Sequence, residues 1–176
     1  MKKKPRVFEE YPLWIVLVIN AVTILAYGIG AYLLFLLGAV WGILYIAYLL
    51  FLEFRLYRES CVSCYYYGKL CAFGKGKIAA RFFEVGDPNK FFEKELSPSD
   101  MIPQFLALIF PMAAGIILLF RTFSWEIFVL MLLPPAIWFL GNPIIYGKLA
   151  CPHCKQGRIC CPANDFFSKM QSRKKK

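Results

Sequence analysis

The sequence predicts an all-α membrane protein: four transmembrane helices as two tandem hairpins, each followed by a cytoplasmic cysteine triplet. Three observations carry this. Long stretches lack any charged residue, the basic residues collect between and beyond those stretches, and one cysteine spacing occurs twice. Of the 176 residues, 59% are hydrophobic and 18% aromatic. That leaves too little polar residue for the surface of a soluble domain of this size.

Tyr11 to Leu52 contains no Asp, Glu, Lys or Arg, about twice the 20 residues that one crossing needs. Met101 to Phe120 and Ile127 to Gly147 are two further uncharged stretches of crossing length. In lipid the backbone finds no partner outside its own helix, so such stretches read as spans. The first should divide at Tyr27-Gly28-Ile29-Gly30, where two glycines relax the backbone for a turn, giving helices over about 11–28 and 31–52. A division at Gly38 to Gly42 would leave the second helix too short. The remaining spans fall at about 101–120 and 127–147. The chain is then one integrated bundle of two halves, 1–97 and 98–176. The first span is expected to be retained rather than cleaved as a signal peptide, because the apolar run continues unbroken past Ala26-Tyr27-Gly28.

Between the hairpins, Asp87-Pro88 has the form of a helix start, and a short helix to Leu96 is expected. Ile78 to Phe83, flanked by Lys75, Lys77 and Arg81, suits the headgroup region. Gly74-Lys75-Gly76-Lys77 lacks the spacing and terminal hydroxyl of a phosphate loop and reads as a flexible basic loop. Ser97 should cap the third helix. Pro111 should kink that helix. Pro134-Pro135 and Gly141-Asn142-Pro143 should kink the fourth, which is expected to fray before Lys148.

Of the 21 Lys and Arg, all but Arg121 lie in the first ten residues, the middle loop or the tail. The positive-inside rule places those three segments in the cytoplasm. The net charge of +10 therefore speaks for anionic lipid rather than nucleic acid. Asn20, Thr23, Gln104 and Asn142 are the main polar groups of the spans and read as helix–helix hydrogen bonds. Tyr65, Tyr66 and Tyr67, with the four tryptophans, read as interfacial aromatics.

All seven cysteines lie outside the apolar stretches. Cys61, Cys64 and Cys71 form Cys-x2-Cys-x6-Cys, and Cys151, Cys154 and Cys161 repeat it. Packing alone explains neither the repetition nor the polar setting. Cys-x2-Cys puts two sulfurs on one tight turn, where they can grip one ion, and the sequence Cys151-Pro-His-Cys154 is similar to a zinc knuckle. These six cysteines are the candidate metal ligands. Zinc takes four ligands, so each triplet needs one more. His153, Cys160, Asp165, Glu59, the other triplet or an outside molecule are the candidates. An iron–sulfur cluster is the alternative cofactor, which with thiol redox at the cytoplasmic face makes the second reading; a handler or transporter of soft metal ions is the third. Because both halves end on the same side, the repeat is parallel, with a pseudo-twofold axis along the membrane normal, and the two triplets are expected close together. No residue pattern identifies a catalyst.

Cys61 to Lys77 and Gly141 to Pro162 resemble segments of small four-helix membrane proteins with paired triplets of this spacing. The resemblance implies the architecture and brings no activity with it. The expected role is that of a structural or accessory subunit: zinc, held by the cysteines, staples loop to tail, with the lipid bilayer and a membrane-protein partner or second copy as partners.

Overall fold

The structure is a computed structural model, and it describes residues 6–88 and 98–159. Every regular element among these residues is helical. Helix α1 spans Leu13–Leu37 and α2 spans Ala39–Leu56, continued by a π-helical turn, Tyr57–Cys61. Helix α3 covers Lys75–Phe82, α4 Pro98–Arg121 and α5 Trp125–Ala136. After α5 the chain stays helical through a π turn at Ile137–Gly141, α6 at Asn142–Ile145 and a second π turn at Tyr146–Ala150. A 3-10 turn at Cys151–His153 and the short α7, Lys155–Ile159, follow. Four of these runs are long and apolar enough to cross a membrane: Leu13–Leu37, Ala39–Cys61, Ile102–Arg121 and Trp125–His153. Their large apolar side chains face outward; Leu17, Ile24 and Val40 are each 68% exposed. A soluble protein rarely exposes apolar surface on this scale, whereas lipid-facing helices must.

The first uncharged stretch divides at Gly38, not at Tyr27–Gly30. The glycines expected to turn the chain serve close packing instead. A Cβ on Gly30 would lie 2.7 Å from the Tyr45 hydroxyl, and one on Gly42 2.5 Å from the Phe35 ring. The second helix is long enough all the same, because it runs past Glu53, Arg55 and Arg58 to Cys61. The fourth helix is not frayed before Lys148. Pro134, Pro135 and Pro143 each remove an N–H donor and crowd the preceding turn; the described helix follows the proline pair with a wider π turn and carries on. Pro88 lies in a turn; the rest of the helix expected to reach Leu96 and the Ser97 cap lie outside the described residues.

The chain divides into two units, one built from Met1–Asn20, Leu56–Leu96 and Asn142–Lys176, the other from Ala21–Arg55 and Ser97–Gly141. In the second, Leu34, Tyr45, Leu49, Leu52, Ala107 and Ala114 form one buried cluster, and Leu33, Leu118 and Met131 another. Tyr45 donates its hydroxyl to the Ala107 carbonyl at 2.8 Å. That carbonyl stands four residues before Pro111, which has no N–H to offer it. Tyr45 thus satisfies the acceptor that the proline leaves open, a strong requirement where no water reaches. Tyr48 similarly donates to the Pro103 carbonyl at 2.8 Å.

Candidate thiol site

The first unit gathers both cysteine segments around Tyr11, Ile15, Val16, Ile19, Tyr66, Ala72 and Ala150. Cys64, Cys71 and Cys154 all pack against this one core. The local fold of each segment follows from its turns. Cys61 ends the π turn that closes α2, and the Cys64 N–H then reaches back to the Cys61 carbonyl at 3.4 Å. Cys151 follows the π turn at Tyr146–Ala150, and the Cys154 N–H reaches the Cys151 carbonyl at 3.3 Å. The Gly157 N–H points at Cys154 Sγ, 3.3 Å away. Cys71 opens a turn closed by Gly74 N–H to its carbonyl at 2.9 Å. The five described cysteines are half-buried thiols.

Two tyrosines join the segments. Tyr11 donates its backbone N–H to the Leu70 carbonyl at 2.8 Å and its hydroxyl to the Ala150 carbonyl at 2.7 Å. It therefore ties the residue before Cys71 to the residue before Cys151. Burial holds its hydroxyl protonated far above the ordinary range, and the neighbouring Cys154 and Cys151 sulfurs add to the shift. Tyr66, 2% exposed, donates to the Phe8 carbonyl at 2.7 Å and accepts the Lys155 N–H at 3.0 Å. Its hydroxyl is pushed up to about 12, first by burial, with Cys154 and Cys64 both contributing. A third link is direct: the Tyr65 N–H donates to Gln156 Oε1 at 2.8 Å. The segments after Cys64 and after Cys154 are thus neighbours.

The N-terminal residues strap this pair. The Phe8 N–H bonds the His153 carbonyl at 3.1 Å, and Phe8 and Cys154 form an isolated parallel bridge. The His153 ring stacks on Phe8 at 4.7 Å, with Nδ1 2.6 Å from the Arg6 carbonyl. His153 is occupied with the strap. Glu9 takes hydrogen bonds from Lys155 and from the Tyr65 hydroxyl, both at 2.5 Å. Those bonds, Lys155 foremost, hold its carboxyl below the usual value, and Glu9 in turn holds the Lys155 ammonium up. Lys69 and Lys155 both lie over the Tyr65 ring, at 4.5 and 4.6 Å.

Of the six expected ligands, Cys64, Cys71 and Cys154 meet on one core, with Cys61 and Cys151 at the start of their turns; Cys161, like Cys160 and Asp165, lies outside the described residues. Among the described residues no three Cys, His, Asp or Glu side chains are grouped to hold an ion. The donors present are of the right type for a soft metal, and the described ones do not by themselves close a site around it. Tyr11 and Tyr66 do not read from the sequence as site residues, since an aromatic beside a span reads as belt. The three consecutive tyrosines placed directly after Cys64 were the available signal. In comparisons with known proteins, no family model matches the chain, nor does any curated protein or solved structure.

Proposed function

We propose that this chain is a multi-pass membrane protein whose two cysteine segments make one soft-metal site, filled by zinc, on the cytoplasmic side of the bilayer, and that it serves as a structural or accessory subunit there. The observation that carries the reading is the union of the two segments: Tyr65 to Gln156, Lys155 to Tyr66, and Tyr11 to both Leu70 and Ala150. Two Cys-x2-Cys turns set side by side offer the four thiolates that tetrahedral zinc takes. Cys61, Cys64, Cys151 and Cys154 would supply them, with Cys71 and Cys161 as the remaining thiols of the repeat. The stapled pair would hold loop and tail as one rigid surface for a membrane partner.

The tandem-hairpin reading has its own support. Gly30 lies against Tyr45 and Phe35 against Gly42, the pairing expected of antiparallel neighbours. Each cysteine segment follows a π turn, Tyr57–Cys61 at the end of one candidate span and Tyr146–Ala150 near the end of another, as a repeat of layout would have it. The cytoplasmic side follows from the basic residues.

Metal analysis and absorbance of the full chain purified in detergent test the proposal. The expected result is colourless protein with bound zinc, lost equally in Cys64→Ser and Cys154→Ser. Visible absorbance with iron and sulfide would replace zinc by an iron–sulfur cluster. Metal-free protein with all seven thiols titratable, after growth with ample zinc and iron, would overturn the metal reading in favour of thiol chemistry.

A further inference from the structure

The basic Gly74–Lys77 stretch is no flexible loop. Gly74, at φ 72°, is the left-handed residue that opens α3. A Cβ on Gly76 would fall 2.0 Å from the Tyr66 carbonyl oxygen and 2.5 Å from that of Lys69. With Gly76 and Ala79 turned inward, α3 is pinned to the first cysteine segment and its other face is fixed outward. That face carries Ile78, Phe82 and, just beyond the helix, Val85, exposed by 45%, 73% and 68%. Lys77 and Arg81 are exposed beside them. Glu84 is the one acid between Lys75 and Val85.

The depth of α3 is set by its other contacts. A Cβ on Gly74 would meet Val16 of α1 at 3.1 Å, and Asn20 of α1 donates Nδ2 to the Phe73 carbonyl at 3.1 Å as well as to Val16 at 2.7 Å. The sequence suggested a helix–helix partner for Asn20, but it holds the turn that leads into α3. At about 1.5 Å per residue, Asn20 lies about 10 Å along α1 from Leu13. Helix α1 has 25 residues, a length of about 38 Å against a hydrocarbon core of about 30 Å, so, read as a span, it overhangs by about 8 Å in all and puts Asn20 about 3–7 Å inside the acyl boundary. Helix α3 starts at that level.

We infer that α3 rests on the bilayer surface, with Ile78, Phe82 and Val85 at the acyl boundary and Lys77 and Arg81 on anionic phospholipid headgroups. A short amphipathic helix with an apolar edge and flanking cations binds in this way. The inference uses the reading of α1 as a span and is independent of the metal.

The full chain in nanodiscs of phosphatidylcholine, with and without phosphatidylglycerol, provides the test. Amide exchange over residues 77–85 should slow when phosphatidylglycerol is present. The double variant Lys77→Glu/Arg81→Glu should lose that difference, each basic residue being worth on the order of fivefold in affinity for an anionic leaflet. In a Phe82→Trp variant, the added emission should be quenched by lipids brominated near the glycerol backbone. Equal exchange in the two lipids, or added emission quenched by iodide and not by brominated lipid, would overturn the inference. So would protection that appears in lipid-free detergent as protein concentration rises, because it would assign the face to a second copy. Failure of the span reading would show differently, as release of the chain from membranes by alkaline carbonate.

Discussion

Glycine shows at single positions what the sequence does and does not disclose. Gly28 and Gly76 look alike on paper, each one of a pair of glycines within a few residues. A Cβ on Gly28 meets nothing within 4 Å, whereas one on Gly76 would collide with two backbone carbonyls, which have no rotamer by which to yield. Gly28→Ala should therefore leave the thermal transition in detergent unchanged or raise it, by about 0.5–1 kcal/mol from helix propensity. Gly76→Ala should lower it by about 1–3 kcal/mol, the usual cost of overpacking. Glu9 gives a pH-dependent counterpart. Its carboxyl is held below the ordinary 4.5, first by Lys155 and then by Tyr65. The strap link is thus fully present above that value and is lost as pH falls through the lower folded value. Amide protection over residues 6–11, corrected for intrinsic exchange, should fall in that acid window. Glu9→Gln should remove the dependence, and the effect should be small because the pair is exposed. The cysteine pairs were legible because spacing is a one-dimensional property. Tyr11 and Tyr66 were not, because their role lies in partners more than fifty residues away.

Elements were legible where lipid dictates them and obscure where packing decides. Any uncharged apolar stretch of crossing length must be helical in lipid, and four helices long and apolar enough to cross appear accordingly. The turn between the first two was misplaced because glycine serves both tight turns and close helix contact, and only the neighbour distinguishes them. Here Tyr45 and Phe35 fill the space at Gly30 and Gly42, so the break passes to Gly38. Proline poses the converse problem. Pro111 and the Pro134-Pro135 pair read as kinks, and each helix continues through its prolines, with the Ala107 acceptor met by Tyr45 in one and a widened turn in the other. The pairing of Tyr45 with Pro111 is testable as a coupled pair. Tyr45→Phe should cost about 1–3 kcal/mol, since it strips the Ala107 carbonyl of its donor. In a Pro111→Ala background residue 111 has an N–H to give that carbonyl, so the same Tyr45→Phe change should cost clearly less. Unfolding of the four proteins in mixed micelles measures the coupling; equal costs in both backgrounds would mean that the hydroxyl does not serve the proline.

At the scale of the whole chain, the strongest constraint is that segments far apart in sequence share one unit. Phe8, Tyr65 and Lys155 are linked through hydrogen bonds of Tyr66, Gln156 and Glu9. Segments joined in this way must stand on the same side of a bilayer. If the candidate helices are spans, the chain must then cross an even number of times between residues 11 and 65, and likewise between 65 and 155. Two candidate spans fall in each interval, so geometry and span count agree without reference to charge. On the proposed topology charge chooses the side: every Lys and Arg except Arg121 belongs to the segments assigned to the cytoplasm, where positive loops are retained. Reporter fusions after Arg6, in the middle loop near Asp87 and at the C-terminus should all report the cytoplasm, and a tag inserted at Thr122-Phe123 should report the far side. Moving charge tests the cause. Replacing the four basic residues before Glu9, namely Lys2, Lys3, Lys4 and Arg6, by Gln should leave the orientation intact, because the middle loop and the tail hold the same bias. A loop reporter on the opposite side from the N-terminal one would break the even-crossing argument, and with it the case for a single thiol site built from both segments.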